Sequence, residues 1–162
     1  MLRGECEAPD FQLTDQSGRP VRLSELGGRV VVLYFYPRAG TPGCAREAQG
    51  FNELLDEFES LGAVVIGVST DGQKALARFA ERLGLRFRLL LDEDGEVARA
   101  YGVPKRGTKR PSAERVTFVI NRDGRVVKTL RNVRPAPRYA DEALNVVREF
   151  STRGGLGSNS GR

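Results

Sequence analysis

The sequence predicts a three-layer α/β fold: a mixed central sheet with helices on both faces, extended by a β-hairpin near the N-terminus. Three observations point there. Two runs, "RVVVLYFYP" and "AVVIGVST", are apolar on both faces and rich in β-branched residues, as strands buried between helices must be. Amphipathic segments of helical period follow each of them. Late in the chain, two alternating runs flank "NRDG", whose Asp-Gly bend marks an antiparallel hairpin.

Each element follows in order. In "APDFQLTDQSGRPVRLSEL", Phe11 and Leu13 alternate with polar neighbours, the chain turns over residues 15–18, and Val21 and Leu23 resume the pattern. That reads as a short hairpin covering a sheet edge. Residues 30–36 form the first central strand, and Pro37 ends it because proline cannot donate to a ladder. Cys44, Ala48, Phe51, Leu55 and Phe58 then recur at helical steps as one apolar stripe, which Gly62 stops. "AVVIGVST" is the second buried strand, "GQKALARFAERLG" a second helix closing on Gly84, "FRLLLD" a third strand and "GEVARAYG" a short helix. "RVTFVI" and "RVVKTL" make the hairpin, and "RYADEALNVVREF" closes as an amphipathic helix. Parallel crossovers first and an antiparallel hairpin late give the thioredoxin-like plan. Residues 1–150 are expected to form one domain; "STRGGLGSNSGR", residues 151–162, has too few apolar groups to order and reads as a flexible tail.

Composition narrows the function. A chain of 162 residues can bury a proper core without staples. Two cysteines, Cys6 and Cys44, and a start with no apolar signal region predict a reducing compartment, the cytoplasm. No apolar run approaches the roughly 18–20 residues that cross a bilayer, so no membrane span is expected. The net charge of +5 raises the question of nucleic acid. However, the densest basic group, "KRGTKR" at 105–110, has no interleaved aromatics, and 21 acidic residues are spread among the 26 basic ones. A solvated basic loop is expected there, and no nucleic-acid partner; a non-catalytic module using this loop to bind an anion is a competing reading. The chain has no histidine. Ser-His-Asp triads, Cys-His pairs and histidine-containing metal sites are thereby excluded, and no metal or cofactor is expected.

The remaining chemistry lies at Cys44. Thr41 suits an N-cap, Pro42 the first helical position, and Cys44 then falls in the first turn. The unpaired N–H groups and the macrodipole at that end favour a thiolate. Cys44 is also in register with the apolar stripe, so a buried structural thiol fits its position as well. Gly43 favours chemistry, because it clears a side chain from beside the sulfur.

"YFYPRAGTPGC" resembles the active-site segment of peroxiredoxins, which are thiol peroxidases: Pro37, three residues, Thr41, two residues, Cys44. "APDFQLTDQSG" and "RVTFVINRDGRV" are most similar to the bacterioferritin-comigratory or Q-type branch, and the likeness runs from about residue 4 to 150. It implies that the Cys44 thiolate attacks a hydroperoxide oxygen, that Thr41 holds the peroxide and that Pro37 shields the pocket. It further implies that Arg115 stabilises the thiolate and the leaving oxygen, that the Gly43 and Cys44 amides help bind the peroxide, and that Glu47 orients the arginine, for which an ordinary helix-surface carboxylate is the competing reading.

The chain departs from that branch at Gln49, where many members carry a second, resolving thiol. Only Cys6 remains, as an intramolecular partner, an intermolecular partner or a bystander. The default is a one-cysteine cycle recycled by an external thiol: thioredoxin, glutaredoxin or a small thiol. A thioredoxin-like disulfide reductase is disfavoured, since Cys44 has no Cys-x-x-Cys partner. A monomer or weak dimer is expected from the branch.

Overall fold

The structure, a computed structural model, describes residues 6–107 and 112–153, with side chains to residue 150. Its strands are β1 (Cys6–Glu7), β2 (Gln12–Asp15), β3 (Pro20–Arg22), β4 (Val30–Phe35), β5 (Ala63–Ser69), β6 (Arg88–Leu91), β7 (Lys105–Arg106), β8 (Ser112–Ala113), β9 (Val116–Ile120) and β10 (Arg125–Arg131). The helices are α1 (Pro42–Glu53), α2 (Leu55–Ser60), α3 (Gln73–Leu83), α4 (Glu96–Ala100) and α5 (Arg138–Arg153). A mixed sheet runs in the order β1-β10-β9-β4-β5-β6-β2-β3. β4, β5 and β6 are parallel, and β9 returns antiparallel beside β4.

Two cores lie on opposite faces of that sheet, because successive residues of β4 point opposite ways. Val30, Val32 and Tyr34, with Tyr36 just beyond, pack with Phe51, Phe58, Phe79 and Tyr139 from α1, α2, α3 and α5. Val31, Leu33 and Phe35 pack on the other face with Val97 and Ala98 of α4, Tyr101 and the N-terminal segment. Both βαβ crossovers step the same way across the sheet, which places α1, α2 and α3 on one face.

Three local features bear on the sequence reading. The hairpin covers a sheet edge as expected, and does so by extending the sheet in its own plane, with Thr14 paired to Leu91 and Asp15 to Leu90. The single helix expected after Pro37 breaks at Leu54 (φ −97°, ψ 4°). Arg86 explains the break: its Nη2 donates to the Asn52 carbonyl at 2.8 Å and its Nη1 to Asp56 at 2.9 Å, competing with the helix's own bonds. Third, α5 runs to Arg153, so its last turn occupies the first three residues assigned to the tail; residues 154–162 lie outside the described residues. In the basic loop, Lys105 and Arg106 pair with β8, and 108–110 also lie outside the described residues. No helix among the described residues is long and apolar enough to cross a membrane.

Candidate active site

β4 ends at the carboxyl edge of the sheet, and the chain turns through Pro37 to Gly40 into α1. Pro37 is buried beneath this turn. Thr41 occupies the N-cap position with extended backbone (φ −81°, ψ 150°), and its carbonyl accepts the first helical bond, from Ala45 N at 2.9 Å. The side-chain cap expected of Thr41 is not made: its hydroxyl donates back to the Arg38 carbonyl at 3.0 Å. The hydroxyl proton is therefore committed inside the loop, and the oxygen's lone pairs stay free to accept a bond. The Gly43 and Cys44 amides sit in the first turn, where an α-helix supplies no partner.

Cys44 is 1% exposed and belongs to the apolar cluster of α1, α3 and α5. It is thus at once a stripe residue and a first-turn residue. One turn on, Glu47 is fully buried. Its Oε1 accepts from Arg115 Nη1 at 2.5 Å, while its Oε2 has no hydrogen-bond partner among the described residues. Arg115 immediately precedes β9 and is the only one of these groups brought in from a distant segment. Its guanidinium is also close enough to the Cys44 side chain for the two to interact electrostatically. A Cβ placed on Gly43 would stand 3.2 Å from Arg115 Nη2, which gives that glycine a steric reason: the guanidinium lies across the helix start.

Burial pushes the Glu47 carboxyl up to about 8, against the pull of the Arg115 guanidinium. Burial also works against the guanidinium, but the negative charges of Glu47 and Cys44 outweigh it and raise the arginine further. Arg115 is therefore a fixed cation, and the carboxyl beside it changes charge with pH. The arginine's backbone is fixed too: Tyr139 Oη on α5 donates to the Arg115 carbonyl at 3.1 Å and accepts from Val133 N at 3.3 Å.

Thr41, Gly43, Cys44, Glu47 and Arg115 thus gather around one helix start, with Pro37 in the turn below. Cys6 is not among them. It sits on β1 opposite Val126, packed with the core on the other face, and it forms no disulfide with Cys44. The sheet stands between Cys6 and Cys44. Gln49 is exposed on α1. Sequence reasoning missed Tyr139 and also Asp71, whose carboxylate accepts from Ala39 N at 2.7 Å in the turn before α1. A signal for Asp71 existed: "STD" ends a buried strand parallel to the one that leads to Cys44, and polar groups at such carboxyl ends face the ligand side. Nothing local marks Tyr139.

The AhpC/TSA family model matches residues 5–129. The chain is 39% identical over 151 residues to peroxiredoxin Bcp of Bacillus subtilis, covering 91% of this chain and 96% of the relative. Among solved structures, peroxidoxin BcpB of Mycobacterium tuberculosis superposes with a TM-score of 0.86 at 39% identity, over 93% of this chain and 99% of that one. The bacterioferritin comigratory protein of Xanthomonas campestris gives 0.80 at 32%, over 87% and 92%. The likeness in sequence and in fold spans nearly the whole of both chains, and the chain belongs to the AhpC/TSA family, in its Bcp/PrxQ peroxiredoxin branch.

Proposed function

We propose that Cys44 is the peroxide-attacking thiol of this thiol-dependent peroxidase, and that its cycle uses a single cysteine. The observation that carries the assignment is the Arg115 guanidinium, anchored on buried Glu47 and lying against the first turn of α1, which holds Cys44. The Cys44 thiolate takes one oxygen of the hydroperoxide as the O–O bond breaks. Sulfur is oxidised to the sulfenic acid, and the other oxygen leaves with a proton as water or alcohol. Arg115 and the Gly43 and Cys44 amides face the charge moving onto that oxygen. Thr41, its own proton held by Arg38 O, accepts from the peroxide O–H. Pro37 keeps water from the thiol.

Hydrogen peroxide and organic hydroperoxides are the proposed substrates; the Xanthomonas campestris relative is described through its alkyl peroxide reduction. Recycling needs an external thiol, because the sheet separates Cys6 from Cys44. Thioredoxin, glutaredoxin or a small thiol attacks the sulfenic sulfur, releases water, and leaves a mixed disulfide that a second thiol reduces. The low cysteine count fits the reducing cytoplasm, and the chain acts as a monomer or weak dimer. A disulfide reductase would need a second thiol beside Cys44, and there is none among the described residues.

Peroxide consumption and intact mass test this directly. Cys44→Ser abolishes turnover, while Cys6→Ser keeps it, and one equivalent of peroxide without reductant adds oxygen to Cys44. Full activity in Cys44→Ser, or a two-proton mass loss that needs both cysteines, overturns the respective half of the proposal.

A further inference from the structure

Three buried aspartates lie outside the cluster at Cys44. Asp15 is accounted for by its own turn, where it accepts from Ser17 N and Arg19 N. Asp92 is accounted for by α4, where it accepts from Val97 N and Ala98 N. Asp71 differs, because its partner comes from a segment 32 residues earlier. Its Oδ2 accepts from Ala39 N at 2.7 Å and from Ser69 Oγ at 2.8 Å, and Arg38 Nη1 stands 4.0 Å from Oδ1.

The Ala39 N–H and the Arg38 C=O are the two ends of one peptide plane. Asp71 binds the N–H end, and the Thr41 hydroxyl donates to the C=O end at 3.0 Å. A carboxylate on the N–H polarises the peptide and strengthens its carbonyl as an acceptor. It also stops the plane from rotating, which would carry the carbonyl away from Thr41. Tyr36 N, bonded to Val68 O at 3.1 Å, pins the chain two residues before that peptide.

We propose that Asp71 is a positioning residue for the peroxidase reaction: through the Arg38–Ala39 peptide it directs the Thr41 hydroxyl proton away from Cys44, so that Thr41 presents only an acceptor to the incoming peroxide. This rests on Cys44 being the attacking thiol. Ser69 supports the arrangement by donating to the same carboxylate oxygen, which sets the carboxylate's orientation.

The test compares two reactions of the same thiol. Peroxide needs Thr41, whereas alkylation by iodoacetamide needs only an accessible, reactive sulfur. Asp71→Ala slows Cys44 oxidation by hydrogen peroxide roughly 10- to 100-fold, as expected when a reactant is misplaced, and leaves the iodoacetamide rate unchanged. In a Thr41→Val background the same substitution has no further effect on the peroxide rate, because the two act through one contact. Should Asp71→Ala fail to fold, Asp71→Asn, which keeps the shape and loses the charge, is read by the same two rates and gives a several-fold selective loss. Equal losses in both reactions, no loss of peroxide rate, or additivity with Thr41→Val overturns the proposal. An active Cys44→Ser variant would instead overturn the assignment of the thiol, so the two failures are distinct.

Discussion

Arg115 Nη1 and Glu47 Oε1 are 2.5 Å apart although 68 residues separate them in the chain. The contact ties the start of β9 to the second turn of α1. It leaves the guanidinium between the Glu47 carboxyl and the first turn of α1, which carries Gly43 and Cys44. An ammonium is less able to face both at once, because it lacks the planar fork.

Arg115→Lys is therefore expected to keep a positive charge and still slow Cys44 oxidation, on the order of 10²-fold, the scale of losing one preorganised donor at developing charge. Stopped-flow measurement of thiol oxidation under excess peroxide gives the rate. A lysine variant within about threefold of wild type would remove the fork geometry from the mechanism.

Gly43→Ala separates rate from stability. The position is helical, so alanine adds up to about 1 kcal/mol of intrinsic helix preference. Its Cβ, however, would lie 3.2 Å from Arg115 Nη2 and push the guanidinium off the helix start. The expected outcome is an unchanged or raised urea midpoint with a several-fold lower peroxide rate. An unchanged rate would mean that the arginine has room to give.

Glu47 makes stability depend on pH in a definite direction. Burial holds its carboxyl at about 8 in the folded chain, against 4.5 as the ordinary value. Between those values the native state keeps a proton that the unfolded chain has lost. Unfolding then releases a proton, and Glu47's contribution makes the protein less stable as pH rises through that window. Glu47→Gln removes this slope, so the stability of the variant relative to wild type grows from pH 5 to 8, by at most about 1.4 kcal/mol per pH unit. Urea midpoints measured across that range decide; a difference constant with pH would mean that Glu47 is ionised throughout.

Gly67, on β5 beside Tyr34, is the tightest glycine of the core. A Cβ there would meet Tyr34 Cζ at 2.9 Å and Leu89 Cδ2 at 3.0 Å. Tyr34 in turn stacks on Phe51 of α1, with ring centroids 4.4 Å apart, and cannot retreat. Gly67→Ala is expected to cost about 1–3 kcal/mol by overpacking, read as a lower urea midpoint. No loss would show that the Tyr34 ring has another place to go.

The sequence by itself determined the order of elements, the two buried strands, the placement of Cys44 in the first turn of a helix and the absence of histidine chemistry. All of these reside in near neighbours: the period of apolar residues, a proline and a glycine beside the thiol, and the residue types present. Arg115 was legible only through resemblance to a family, since nothing near it in the chain separates it from the other arginines. The break at Leu54, the burial of Glu47, the Tyr139 anchor and the hold of Asp71 on the Arg38–Ala39 peptide were decided by the tertiary structure. Each rests on a contact between residues 24 to 68 positions apart in the chain. The position of Cys6 belongs with them. Its sequence places it before the hairpin, but pairing of β1 with β10 fixes which face of the sheet it packs on, and that face is not the one that carries Cys44. Periodicity says that a residue is buried; strand order and register say against what.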